Sequence, residues 1–377
     1  MGSVFKVYAS LFVGLFLLGA VAQTQVQGNW QKEVVDTVLP GEADSFSSLA
    51  IDRFGNFHLA YSNRNGTVLK YAYRAKQEKR WDKATVDPDG GTFDALTVDS
   101  HGFAHIAYNS PRLNGLHYAF WDGTQWQKVL VDTDRTSGQT AIVLDSQDHP
   151  RISYYREQYP DRRFARYLKY AYFDGKSWYI QTVDHRSGSG HWNSIVLDHA
   201  ERPCISYSIT TTGNLGFACL HESAWEHASA DSRSEKGKRF VDYVNSIAMD
   251  AAGEPRAAFF SASDRTVNYA WKQGEVWHQE TVDSLVSTGA ESERIFLKVD
   301  KSGRPHIVYY DSGLGALKYA TRDDKGWHRE TIDSDNAGDY ASFCLDGSDQ
   351  PYVSYYASAD KELRIAHRGP VDLGQKP

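Results

Sequence analysis

His191, Tyr243, Glu293 and Asp339 occupy one repeated register of the sequence, each three residues ahead of a short alternating run that reads as a strand. A His or Tyr beside a Glu or Asp can pass a proton to or from a substrate when its surroundings bring the pKa towards working pH. The remaining copies of this register hold Ser45, Thr92 and Gly138, so the four ionisable members fall on consecutive copies and are expected to converge as the catalytic set. Arg156, Arg239 and Arg294, with His185 and Arg186, are suited to neutralising a carboxylate or sulfate through paired guanidinium hydrogen bonds. Trp192, Tyr159 and Tyr340 are suited to stacking on sugar faces. Strand alternation then brings Ser47, Asp94, Thr140, Asn193, Asn245, Ile295 and Ala341 to the same side two residues later, which implies a polar ring at a channel mouth. A lining that is only solvated, with arginines paired at the surface, fits the same residues, and both readings stand.

The elements that position this register come from a repeat. Trp30, Trp81, Trp126, Trp178, Trp225, Trp277 and Trp327 recur at intervals of 51, 45, 52, 47, 52 and 50 residues. Each is followed six positions later by Asp: Asp36, Asp87, Asp132, Asp184, Asp231, Asp283 and Asp333. A period near fifty is that of a propeller blade. Each copy continues with an inner run ending in Asp (52, 99, 145, 198, 250, 300 and 346), then a run such as HLAY or HIVYY, then one such as LKYAY, and the next Trp opens the fourth. These short β-branched and aromatic runs, separated by Gly, Pro, Asp and Asn, predict an all-β fold. The fold class expected is a seven-bladed β-propeller with four-stranded antiparallel blades. The last copy ends at His367 without its Trp strand, and the chain opens on an orphan strand over residues 30–35, so the N-terminal strand should complete the last blade and close the ring.

Loop lengths separate two faces. The turn between strands one and two is constant, and the turn between strands three and four nearly so, which marks a structural face on which His58, His105 and His306 bond a turn; both Asp series are expected to cap loops through backbone N–H groups. Loops from strand four to the next blade vary, being longest at 231–246 and 283–296, and blade three carries an Arg- and Tyr-rich insertion between Tyr154 and Leu168. Function is expected on that variable face.

Residues 1–22, with Lys6 ahead of an apolar run and Ala20-Val21-Ala22 at its end, read as a signal peptide; residues 23–370 form the propeller and 371–377 a C-terminal tail. A secreted protein, extracellular or periplasmic, is expected, with no membrane span once the signal is removed. In that compartment Cys204 and Cys219, on neighbouring strands, are either bonded or two buried thiols, and Cys344 is a small core residue. Asn65 heads a glycosylation sequon. A net charge of −7 argues against nucleic acid, which needs a broad basic face. No HExxH, paired-Cys, phosphate-loop, nucleophile-elbow or dinucleotide pattern occurs, so neither a metal nor a cofactor is expected.

The repeats W-x-x-E-T-V-D, L-D-x-x-G-x-P-H-I-x-Y-Y and L-K-Y-A resemble those of secreted bacterial propellers grouped as BNR or sialidase-like, over residues 30–367. The segments 122–126 (DGTQW) and 174–178 (DGKSW) resemble a degenerate Asp-box, a scaffold turn. The resemblance implies a monomer that binds or hydrolyses a glycan at a single site on its variable-loop face. The sialidase FRIP motif is absent, and the full set of three arginines, Tyr, Glu and Asp is not recoverable. Two alternatives remain: a polysaccharide lyase, in which Arg neutralises a uronate and His191 with Tyr243 abstracts its C5 proton, and a non-catalytic interaction or adhesion scaffold.

Overall fold

The computed structural model describes residues 26–369 apart from 28, 38–45, 63–66, 111, 135, 159–164, 230–243, 263, 275 and 287–293. The signal-peptide, sequon and C-terminal-tail expectations lie outside the described residues. The chain forms seven four-stranded antiparallel sheets. Their innermost strands are Ser47–Ile51, Thr92–Val98, Thr136–Leu144, Ser189–Leu197, Asn245–Met249, Ile295–Val299 and Ala337–Leu345 for blades one to seven. Each packs against its neighbours on both sides, the seventh against the first, so a ring encloses a central channel. Among the described residues no helix is long and apolar enough to cross a membrane.

Closure follows the expected route. Trp30–Thr37 pairs antiparallel with Glu362–Arg368, from Trp30 opposite Arg368 to Thr37 opposite Glu362. A further pair, Val26–Gln27, adds parallel to the outer strand Gly326–Asp333 of blade six, so the N-terminal segment binds two blades rather than one.

The seams between blades show why Trp and Asp repeat. Trp126, Trp178, Trp225 and Trp327 set their rings edge-on to Tyr71, Tyr118, Tyr170 and Tyr269 of the preceding blade at 5.0–5.6 Å, a favoured aromatic geometry. The Asp six residues on caps its own turn, as with Asp132 accepting from the Asp134 N–H, but it also accepts a buried hydroxyl from the next blade. Tyr61, Tyr108, Tyr154, Tyr207, Tyr309 and Tyr355 donate to Asp36, Asp87, Asp132, Asp184, Asp283 and Asp333 at 2.6–2.8 Å. Blade five has Phe259 in the tyrosine position. The Lys of the L-K-Y-A run completes the clamp in two blades: Lys169 bonds Asp132, and Lys318 bonds Asp283 at 2.6 Å.

On the constant face the inner Asp series caps turns as anticipated. Asp52 Oδ1 accepts from the N–H groups of Phe54 and Asn56, its other oxygen meets His58 Nε2 at 3.2 Å, and His58 Nδ1 meets the Tyr71 hydroxyl. Asp99 with His105 and Asp300 with His306 repeat the arrangement. Arg151 and Arg256 take the histidine's place in blades three and five. Asp122 and Asp174 close the turns into strand four by accepting from two backbone N–H groups each. Cys204 and Cys219, directly opposite on adjacent strands, form a disulfide, which resolves the two readings left open; Cys344 is a buried free thiol.

Candidate functional site

Two columns of short polar side chains hold the inner ring together. Ser48, Ser194, Ser246 and Ser342 accept from the backbone N–H groups of Leu96, Ile247, Leu297 and Leu49, each on the next blade. One residue earlier, Ser47, Asn193 and Asn245 donate to the carbonyls of Tyr340, Gln139 and Trp192 on the blade before. Thr140 in the same column donates to Ala107. This second column is the expected ring, and most of it serves as bracing.

Strict alternation does not survive into the channel mouth. The pairing register shifts between His191 and Ser194 and between Asp339 and Ser342, and Trp192 and Tyr340 adopt φ of 50° and 55°. Such bulges re-aim the side chains that follow. Each is preceded by a glycine that lies on the preceding blade: a Cβ at Gly190 would come within 2.8 Å of the Leu168 Cα, and one at Gly338 within 2.8 Å of the Leu317 Cβ. The consequence is a correction. The channel cavity is lined by the seven ring residues and, in five blades, also by the residue immediately before, Phe46, Gln139, Trp192, Arg294 and Tyr340, whereas His191 is not among the lining residues.

The channel holds a cavity of about 260 Å³ beneath this mouth. Arg294 is 9% exposed and places its guanidinium carbon 4.0 Å from the Trp192 ring centre, 5.0 Å from Tyr340 and 5.7 Å from Phe46. Cation–π attraction of this kind fixes a planar cation among three rings. The buried Trp192 indole N–H has no hydrogen-bond acceptor among the described residues. On another wall of the cavity stands Asp94, 8% exposed, whose carboxylate oxygens have no side-chain hydrogen-bond partner among the described residues. Burial pushes its pKa up to about 7, against the small lowering effect of its own backbone N–H. The arrangement offers aromatic faces, a cation and an acid to one ligand.

The other expected residues separate in space. His191 sits edge-on to Tyr155 and Trp192 at 5.5 and 5.0 Å, behind the mouth. Arg156 pairs with Asp134 at 2.9 Å, and Arg186 forks onto Asp184 while touching the Tyr207 hydroxyl, so both serve the blade seams. His185 is exposed and edge-on to Tyr167. Tyr159, Arg239, Tyr243 and Glu293 lie outside the described residues, and Asp339 is described only in its backbone, opposite Tyr356. Asp94 was expected only as one of the seven ring residues, and Phe46 was not expected at all. The signal for Asp94 was available: it is the sole acid in a column otherwise made of Ser, Thr, Asn, Ile and Ala. A second recess of about 550 Å³ lies between blades one and two on the constant face, lined by Phe54, Phe103, Trp121 and Trp126 together with the His58 turn network.

No family model matches the chain, and no curated protein matches it. Among solved structures, a fungal lectin of Aleuria aurantia, described as a six-bladed β-propeller with a novel fucose recognition mode, is similar at TM-score 0.54 and 13% identity, covering 79% of this chain and 98% of the lectin. AofleA from Arthrobotrys oligospora is similar at TM-score 0.52 and 14% identity, covering 81% and 90%. The NanB sialidase of Streptococcus pneumoniae gives a TM-score of 0.49 at 12% identity, covering 89% and 70%. At such identities the likeness to the two lectins carries the propeller fold alone.

Proposed function

We propose that this is a secreted glycan-directed propeller that binds, or binds and hydrolyses, a carbohydrate at one composite site in the channel mouth. The observation that carries the reading is the Arg294 guanidinium held against Trp192, Tyr340 and Phe46 over a cavity that also contains an unpartnered acid. Aromatic faces pack against the C–H faces of sugars, while a few fixed polar groups select the hydroxyl pattern. A cavity of about 260 Å³ lies just below the span of typical small-molecule sites, which suits one sugar residue of a chain whose remainder rests on the variable loops. The mouth residues differ from blade to blade, so the site is single, unlike a lectin with one equal site per blade. The Cys204–Cys219 disulfide supports an oxidising compartment.

A glycan array followed by reducing-sugar assays on the bound classes tests the reading. Binding is expected, and Arg294→Lys, which keeps the charge but loses the planar stack, is expected to weaken it about tenfold. Loss of binding in Trp121→Ala with Arg294→Lys unaffected would move the site to the recess on the constant face. Absence of binding to any glycan would sink the proposal.

A further inference from the structure

Asp94 stands out in its column by charge. The equivalent residues are Ser47, Thr140, Asn193, Asn245, Ile295 and Ala341, and the four polar ones spend their hydrogens on bracing: on the carbonyls of Tyr340, Ala107, Gln139 and Trp192 respectively. The Ser47 hydroxyl also meets the Ser354 hydroxyl at 3.0 Å, so these neighbours of Asp94 are engaged in the scaffold, and the Asp94 carboxylate is the group of this column left for a ligand. A buried carboxylate without a partner is costly, and a ligand that brings N–H bonds and a positive charge relieves that cost.

The shape of the ring decides what kind of cation fits. Ile295 and Ala341 make the wall aliphatic at blades six and seven, so the oxygens form an arc and not a cage. A hard metal ion wants six or more oxygens around it, whereas an organic ammonium on a ring with an apolar face matches one polar and one aliphatic wall. The other charged side chains lining the cavity, Arg294 and Lys298, both belong to blade six, three blades from blade two and as far as a seven-membered ring allows. The aromatic mouth and the acid floor belong to one cavity.

We propose that Asp94 makes this pocket selective for an amino sugar with a free amine, the ammonium group seated on its carboxylate and the rest of the sugar against the cluster of Arg294, Trp192, Tyr340 and Phe46. The inference rests on the glycan reading above.

Titration calorimetry of the whole chain at pH 7 with a fully deacetylated chitosan tetramer, its N-acetylated counterpart and a uronate tetramer tests it. The free-amine tetramer is expected to bind about tenfold tighter than the N-acetylated one, and Asp94→Asn to abolish that preference, the two tetramers then binding alike. Asn already occupies this position in blades four and five, so the variant keeps the fold, and its thermal midpoint checks that. If the amine preference is absent, or persists in Asp94→Asn, the Asp94 assignment fails and the glycan reading stands. Binding of the uronate tetramer alone has the same meaning and makes Asp94 a protonated brace. If neither these ligands nor any glycan on the array binds, both readings fail.

Discussion

Asp132 and Asp94 are both buried aspartates, 7% and 8% exposed, one in the seam between blades and one in the channel. Burial raises the pKa of each. At Asp132 the bonds from Lys169 and Tyr154 and the Asp134 N–H outweigh that effect and hold the carboxyl below its usual value. At Asp94 nothing outweighs it, and the group is pushed up to about 7. The difference teaches where to look for chemistry: the same residue type is structural where its partners come from the repeat and available where the repeat has withheld them.

The comparison breaks most visibly at Asp132. Asp132→Ala leaves the buried Tyr154 hydroxyl without its acceptor and the Lys169 ammonium with Asp134 alone, so denaturant unfolding is expected to show a loss of about 3 kcal/mol. A loss under about 1 kcal/mol would remove the seam from the account of stability. Asp94→Asn should do the reverse. A carboxyl whose folded pKa lies above its unfolded value binds protons more tightly when folded, so its destabilising effect is nil below about pH 4, grows between about pH 4 and 7, and is constant above. The variant is expected to be more stable than the native chain by about 2 kcal/mol at pH 8, the full shift being discounted for water in the channel, and equal to it near pH 4. Equal stability at both pH values would show that Asp94 is ionised without penalty.

Smaller effects sharpen the contrast. Tyr108→Phe removes one buried hydroxyl from Asp87 and is expected to cost about 1 kcal/mol, since the carboxylate retains Lys128 and a backbone N–H. Blade five tolerates Phe259 at the same place, which sets that scale. Asp36, Asp87, Asp132, Asp184 and Asp333 all have folded pKa values held below the ordinary one, because hydrogen bonds to the charged form overcome burial. Their stabilising contribution is present above about pH 4 and is lost as pH falls through the folded values, so a thermal midpoint followed from pH 5 to pH 2 should decline steeply. A flat profile over that range would contradict the seam clamps.

Much of this was legible in the residues. The Trp-to-Asp spacing gives seven blades because each blade must present the same edge to the next, and the orphan strand at Trp30 gives the closure. The parallel pair Val26–Gln27 was not legible, because two residues carry no periodicity. The ring residues do line the cavity, but alternation did not show that the preceding residue reaches it as well or that His191 does not: alternation holds only while the strand is regular, and the bulges at Trp192 and Tyr340 follow glycines lying over Leu168 and Leu317 of other blades. The tyrosine half of each seam was visible as a column of HLAY- and SYY-type runs, yet its partner lies 20 or more residues away and on a different sheet.

The sequence by itself determined the number of blades, the strand order and the division into a constant and a variable face, since these follow from local patterns repeated seven times. Only the tertiary structure decided which polar residues are spent on bracing and which remain for a ligand. Whether a side chain has a partner depends on residues some fifty positions away on the neighbouring blade, and no local pattern encodes that distance.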